Sequence, residues 1–426
     1  MAHSDVTADG DAWTPAVAVV GAGAMGTGIA QVAAQAGCEV TLVDVAPGAA
    51  DRARESLRAV WARQVDKGRM STAEADAALA RVRTAAGVEQ LPSVDLVIEA
   101  AREDLATKRE LFATLAATQA PDTVLATNPS SLSTTDIAEG LPQPHRLVGL
   151  HFFNPPPLMK LVEVVRGEHN ATADGEALLA RCTDLMRAWG KTPVTCSATP
   201  GFIVNRVARP FYGEGQRMVA DGTIDPATLD YALTREGFRL GPMALTDLIG
   251  QDVNLAVGES VWEQTGRDPR YEPTEWQRGL VAEGRLGRKA GRGVFEYDPA
   301  GSPLGAEPDE RRAAELTAPD APVETDPVAR TLAMLVNEAV DLVARGEASA
   351  ADVDTAMRLG TNYPRGPIEW GREIGFNTVH AQLVELDAHF PGGRYRPSPA
   401  LTDGSLDGAD ERDATGEDHG AAQEPA

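Results

Sequence analysis

Residues 16–44, AVAVVGAGAMGTGIAQVAAQAGCEVTLVD, constrain what this chain can fold into more than any other stretch. Ala16 to Val20 is apolar without a break, as in a strand buried on both faces, and it leads directly into Gly21-Ala-Gly23-Ala-Met-Gly26. The spacing predicts a strand, a glycine-rich turn and a helix. Gly21 suits a tight turn, Gly23 lets backbone approach a pyrophosphate, and Gly26 lets the helix lie close on the strand. The helical pattern runs through Ile29, Val32 and Ala33 to Gly37, and a second apolar strand, Val40 to Val43, ends in Asp44. A carboxylate at that point accepts hydrogen bonds from an adenosine ribose and repels a 2′-phosphate, so the stretch predicts a dinucleotide site that prefers NAD to NADP.

Length and charge narrow the remaining choices. A chain of 426 residues is too long for one compact core, which predicts two or three domains. The 63 acidic and 39 basic side chains leave a net charge of −24, which argues against general nucleic-acid binding and against an anionic membrane surface. Cys38, Cys182 and Cys196 are odd in number and far apart, so neither a disulfide framework nor a metal site is expected. The first residues lack an apolar targeting core, and no later stretch is apolar for long enough to span a bilayer. The expectation is a cytoplasmic protein.

After the opening unit, helices are predicted over about 49–67 and 72–83, then a strand at 95–99, a helix over 105–117 and a strand at 123–126. That alternation implies a doubly wound, mainly parallel sheet, whose ligands gather at the carboxyl ends of the strands. Three of those ends carry polar side chains: Glu99 with Glu103 and Lys108, then Thr127-Asn-Pro-Ser130-Ser131, then His151. Glu103 and Lys108 read equally as cofactor contacts or as an exposed charge pair at a helix start. Ser130 and Ser131 read as site hydroxyls or as helix caps.

His151 lies in Gly149-Leu-His-Phe-Phe-Asn154-Pro-Pro-Pro, and the next strand, Leu161-Val-Glu163-Val-Val165, returns a carboxylate toward it. A histidine that accepts a proton becomes cationic, and a neighbouring carboxylate fixes its tautomer and stabilises that charge. The alternative for Glu163 is a surface charge on an edge strand. Farther on, Pro200-Gly-Phe-Ile-Val-Asn205 opens a long helix, where the Asn205 amide serves either a substrate oxygen or local backbone. The helical remainder is duplicated: 218–232 aligns with 342–356, pairing Gly222 with Gly346 and Asp230 with Asp354, with Ala329 falling opposite Asn205.

With these residues in view the chain resembles the 3-hydroxyacyl-CoA dehydrogenase family, from about Ala16 to Tyr297 and again from about Pro327 to Pro397. The blocks that carry the resemblance are VVGAGAMGTGIAQ, LVIEAAREDLATK, GLHFFNPPPLMKLVEVV, TPGFIVNR, GPMALTDLIGQDVN and GRLGRKAGRGVFEY. The duplicated module is most similar to the bacterial long form, which includes 3-hydroxyadipyl-CoA and some 3-hydroxybutyryl-CoA dehydrogenases. The resemblance implies a Rossmann-type α/β domain over 15–198, preceded by a disordered leader at 1–14. It also implies two all-α modules of the 6-phosphogluconate-dehydrogenase-like type at 199–298 and 325–398, joined by a linker at 299–324, with a disordered acidic tail at 399–426.

It further implies oxidation of (S)-3-hydroxyacyl-CoA with NAD. His151 matches the general base, Glu163 its carboxylate partner, and Ser130 and Asn205 the polar residues around the reacting oxygen. Gly21, Gly23, Met25, Gly26, Asp44, Glu103, Lys108, Asn154 and Lys289 match cofactor contacts. Ser56 matches a coenzyme A contact, and Arg63 stands where lysine is common. One departure is Pro129 in place of the usual threonine, which removes a backbone N–H and biases Asn128 toward an extended conformation. The acyl-CoA aside, no nucleic-acid or membrane partner is expected, and the chain is either a homodimer or a monomer whose second helical module takes a partner's place. The competing readings are an NAD-binding structural or redox-sensing relative, and a sugar-acid dehydrogenase on the same scaffold.

Overall fold

The computed structural model describes residues 13–129, 132–404 and 406, and the chain divides after Ala198 into two compact units. In the first unit eight strands form one sheet: β1 (Val17–Val20), β2 (Val40–Val43), β3 (Val82–Ala85), β4 (Leu96–Glu99), β5 (Val124–Thr127), β6 (Leu147–Phe152), β7 (Leu161–Arg166) and β8 (Thr192–Ser197). Their order is β3-β2-β1-β4-β5-β6-β7-β8, and every pair is parallel except β6 with β7. Helices α1 (Ala24–Gln35), α2 (Ala49–Asp66), α3 (Thr72–Arg81), α4 (Leu105–Thr118), α5 (Thr134–Ala138) and α6 (Ala173–Ala188) connect them. Two apolar clusters flank the sheet. One holds Val17, Val19, Ile29, Leu57 and Trp61, the other Ala18, Val97, Phe112 and Leu125, so alternate residues of β1 point to opposite faces.

The first βαβ turn is built as its glycines predict. Gly21 has φ +108°, and a Cβ there would lie 2.5 Å from the Ala100 carbonyl oxygen; a Cβ on Gly26 would lie 1.8 Å from the Gly21 oxygen. A Cβ on Gly23 would meet nothing within 4 Å, so that side of the turn is open to a ligand. Gly26→Ala should therefore lose roughly 1–3 kcal/mol through overpacking, read as a lower thermal unfolding midpoint. An unchanged midpoint would show that the helix can back away from the strand.

Several expectations change at this level. The helix predicted over 72–83 ends at Arg81, because Val82 is buried and pairs with Val40 to start the edge strand β3. Trp13, placed in the leader, packs against the core and stacks on the Arg181 guanidinium at 3.5 Å; the leader's residues 1–12 lie outside the described residues.

The second unit is helical: α7 (Val204–Val207), α8 (Arg209–Ala220), α9 (Pro226–Arg235), α10 (Pro242–Ile249), α11 (Gln251–Gln264), α12 (Glu275–Ala282), α13 (Glu310–Leu316), α14 (Pro327–Ala344), α15 (Ala350–Thr361), α16 (Pro367–Ile374) and α17 (Phe376–His389). The long helix expected after Pro200 is broken at Ala208, and Pro210 follows in the first turn of α8, where its missing N–H costs nothing. The segment expected as a linker carries α13, capped by Asp309 and anchored by buried Ala313 and Leu316, with the Asp309 N–H donated to the Thr228 hydroxyl. The segment assigned to the tail starts with an ordered turn, Pro399–Leu401, that buries Ala400 and Leu401; residues 405 and 407–426 lie outside the described residues.

The duplication has a physical consequence that extends past the aligned stretch. Asp230 accepts from the Met243 and Ala244 N–H groups at the start of α10, and its counterpart Asp354 accepts from Ile368 and Glu369 at the start of α16. In each copy the same carboxylate thus caps the helix that follows its own. The two copies then exchange ions across α8 and α14. Glu338 binds Arg206, Arg270 and Tyr271, while Glu214 binds Arg330, Arg394 and Tyr395. The two sets stand at a constant sequence offset, so the contact is isologous within a single chain.

Candidate active site

Because β1 to β6 all run parallel, the glycine-rich turn after β1, Glu99 at the end of β4, Thr127 at the end of β5 and His151 near the end of β6 share one edge of the sheet. The order places β1 at the switch point, with β2 on one side and β4, β5 and β6 on the other. Three strand spacings of about 4.8 Å separate the turn from His151.

β6 and β7 pair antiparallel with His151 directly opposite Glu163. That register brings the imidazole Nδ1 to 2.5 Å from Glu163 Oε2, with the carboxylate fully buried and the histidine side chain 8% exposed. In the neutral ring such a carboxylate keeps the proton on Nδ1 and makes Nε2 the basic nitrogen. The Phe153 ring packs on the imidazole with centroids 4.6 Å apart. The surface-charge alternative for Glu163 is excluded by its burial between β6 and β8.

The neighbouring strand ends are tied together by polar groups. The Asn128 N–H donates to the Glu99 carbonyl at 2.7 Å, and its side-chain Oδ1 accepts from the Phe152 N–H at 2.8 Å, joining β4, β5 and β6 beside the histidine. Pro129 leaves both bonds in place. Ser130 and Ser131 lie outside the described residues.

Lys108 and Glu103 do not form an exposed pair. Lys108 is fully buried, and its ammonium meets Glu99 Oε2 at 2.7 Å and Glu103 Oε2 at 3.1 Å. Glu99 also accepts from the Ala101 N–H and the Thr127 hydroxyl, and Glu103 accepts from the Leu132 N–H. A buried cation needs such compensation, and Glu99 supplies most of it. The sequence signal for Glu99 was an acid closing an otherwise apolar strand.

Asp44 accepts from the Ala22 N–H at 2.7 Å and the Ala46 N–H at 2.8 Å, which fixes the carboxylate beside the glycine-rich turn. Met25, in the first turn of α1, packs on the core, and that turn carries no acidic side chain. A 12-residue helix with uncapped first-turn N–H groups and no acidic side chain in its first turn favours a phosphate at its N-terminus. The observed turn therefore fits a dinucleotide.

Other expected contacts are placed within their own units. Asn154 precedes a cis Pro155 in the loop after β6. Pro156 of that loop lies where a Cβ on Gly28 of α1 would intrude, at 2.8 Å. The loop's carbonyls at Pro156 and Met159 accept from the buried Lys191 ammonium, a residue that sequence reasoning passed over because its partners are set by the fold. Burial and the charge of Lys160 hold that ammonium down to about 8. Ser56 and Arg63 are exposed and seven positions apart on α2, so they share a face. In the second unit, Asn205 sits in α7 after a left-handed turn at Gly201 and Phe202, with φ +79° and +50°. Lys289 is exposed and paired with Asp252 at 2.6 Å.

Among the described residues no cluster could hold a metal ion, and no helix is long and apolar enough to cross a membrane.

Residues 16–199 match the 3-hydroxyacyl-CoA dehydrogenase NAD-binding domain, and residues 201–297 and 327–414 match the C-terminal domain of the same family. The chain is 37% identical to 3-hydroxyadipyl-CoA dehydrogenase of Escherichia coli K12, over 92% of this chain and 97% of that protein. Its fold is similar to a crystal structure of 3-hydroxybutyryl-CoA dehydrogenase from Escherichia coli K12, with TM-score 0.81, 37% identity and coverage of 91% and 97%. It is also similar to (S)-3-hydroxybutyryl-CoA dehydrogenase from Ralstonia eutropha, with TM-score 0.63 and 35% identity, over 66% of this chain and 99% of that one. Both domains match in sequence and the sheet carries a dinucleotide-type turn, so the chain belongs to the 3-hydroxyacyl-CoA dehydrogenase family of NAD-dependent oxidoreductases.

Proposed function

We propose that the chain oxidises the 3-hydroxyl of a short-chain or dicarboxylic (S)-3-hydroxyacyl-CoA, such as 3-hydroxybutyryl-CoA or 3-hydroxyadipyl-CoA, with His151 as general base. The observation that carries the reading is the buried imidazole–carboxylate contact of His151 and Glu163, on the same sheet edge as the glycine-rich turn. The dinucleotide would rest its pyrophosphate on the start of α1, its adenosine ribose on Asp44 beside β2, and its other half over β4 and β5 near Glu103 and Lys108. NAD, when bound, supplies the hydride acceptor.

His151 Nε2 takes the hydroxyl proton, and the Glu163 carboxylate stabilises the imidazolium that forms. Ser130 and Asn205 hold the oxygen as it becomes a carbonyl. Ser56 and Arg63 bind the coenzyme A portion, and Asn154 and Lys289 add cofactor contacts. The chain acts either as a homodimer or as a monomer whose second helical module takes a partner's place, and a cytoplasmic location suits the acyl-CoA substrate.

The test is NADH formation from 3-hydroxybutyryl-CoA and 3-hydroxyadipyl-CoA, with a free sugar acid as control. Turnover with the free acid and none with either thioester would reject the reading. Asp44→Ser removes the charge that repels a 2′-phosphate, so the ratio of kcat/KM for NAD over NADP should fall by about ten-fold or more, from one lost charge-assisted hydrogen bond. An unchanged ratio would remove Asp44 from that role.

A further inference from the structure

The two reciprocal ion clusters are equivalent in sequence but not in charge. Around Glu338, the guanidiniums of Arg206 and Arg270 meet two further carboxylates, Asp341 and Glu347. At the same offset around Glu214, Asp341 is replaced by Arg217 and Glu347 by Thr223. With Arg345 on Asp341, the first cluster sets three guanidiniums against three carboxylates, whereas in the second Glu214 is the one carboxylate among the described residues that pairs with Arg330 and Arg394, and Arg217 makes no ion pair. Arg330 and Arg394 commit their donors to Glu214, Tyr395 and the carbonyls of Glu324, Pro269 and Arg270. Arg217 gives one nitrogen to the Glu272 carbonyl at 3.0 Å, and its Nη1 is buried with no hydrogen-bond partner among the described residues.

Arg217 lines a cavity of about 590 Å³, all of whose lining residues belong to the helical unit. Arg217, Arg330 and Arg394 line one side, with Trp276, Phe390 and Pro391 among the other walls. The carboxylates of Asp221, Glu272 and Glu275 are exposed at its rim. Burial and the charge of Arg394 hold the Arg217 guanidinium down to about 10, as expected of a cation short of a counter-ion.

We propose that this cavity is a binding site for a small organic carboxylate with an apolar body, whose carboxylate takes the place that the Asp341 side chain fills in the duplicate cluster. The head group accepts from the Arg217 guanidinium in the field of Arg330 and Arg394, and the apolar body packs against Phe390 and Trp276. An unpaired buried donor and an unbalanced set of cations favour such an anion over a neutral ligand. A carboxylate is preferred to a larger oxyanion because the other copy of the site is completed by one.

The test uses the full chain, with benzoate as probe and benzamide as its neutral counterpart, by calorimetric titration and thermal unfolding at matched ionic strength. Benzoate should bind saturably with one site per chain and raise the unfolding midpoint, and benzamide should do neither. Arg217→Asp puts the duplicate's carboxylate where the ligand's would sit and should weaken benzoate by about ten-fold or more, the worth of one hydrogen bond to a charged group. Arg217→Met keeps the volume without the charge and should lose the same affinity, so a folding failure of one variant leaves the other to decide. Equal binding of benzoate and benzamide, no saturable benzoate binding, or unchanged benzoate affinity in a folded Arg217 variant would each overturn the proposal.

Discussion

Replacing His151 by glutamine should lower kcat for 3-hydroxyacyl-CoA oxidation by about two powers of ten or more, the range expected when a general base is removed. Glutamine keeps a polar side chain opposite Glu163 but has no nitrogen of comparable basicity. The NAD dissociation constant should stay close to that of the parent, because the glycine-rich turn and Asp44 lie three and four strands away in the sheet order. Single-turnover NADH formation and NAD titration separate the two quantities. Turnover within a few-fold of the parent would remove His151 from the role, and a matching loss of NAD affinity would make the defect structural.

The second large effect should come from Glu338. Its carboxylate is fully buried and joined to Arg206, Arg270 and Tyr271, and those guanidiniums hold it below the usual carboxylate range. Glu338→Ala leaves the two arginines facing Asp341 and Glu347 in a desolvated site, a change expected to cost about 3–5 kcal/mol. At roughly 2–4 °C per kcal/mol for a unit of this size, the unfolding midpoint should drop by roughly 6–20 °C. Thermal unfolding by circular dichroism measures it directly. A midpoint within a degree or two of the parent would mean that the remaining carboxylates compensate for the loss. Glu214→Ala should be at least as damaging, since among the described residues no second carboxylate is bonded to Arg330 or Arg394.

The difference between these two glutamates also illustrates the limits of pattern reading. The internal repeat was legible from the glycines and from Asp230 and Asp354, which punctuate and cap helices and therefore keep a fixed spacing. The ion exchange between the copies was not, because Arg206 and Glu338 are 132 positions apart and carry no periodic signal. The reversed charge at Arg217 gains meaning only once its counterpart Asp341 is seen to complete a cluster. Likewise, the burial of Lys108 followed from Glu99 and Glu103 converging on it, whereas the sequence shows only three charges near a helix start. The edge strand β3 was hidden by the alanine-rich helical pattern before it, and pairing with β2 decided its conformation.

By itself the sequence determined the first βαβ unit, the alternation that makes the sheet parallel, the acid at the end of β2 and the duplication of the helical modules. Local chemistry sets each of these: steric exclusion at Gly21 and Gly26, apolar runs suited to buried strands, and side chains that cap their own helices. Tertiary structure alone decided between a partner for His151 and a surface charge at Glu163, by burying that carboxylate between β6 and β8, and showed that the two helical copies share their ions reciprocally. The first depends on strand pairing on both sides of β7, the second on helix packing between distant segments, where desolvation makes a matched partner obligatory and the chain order gives no indication of which residue it is.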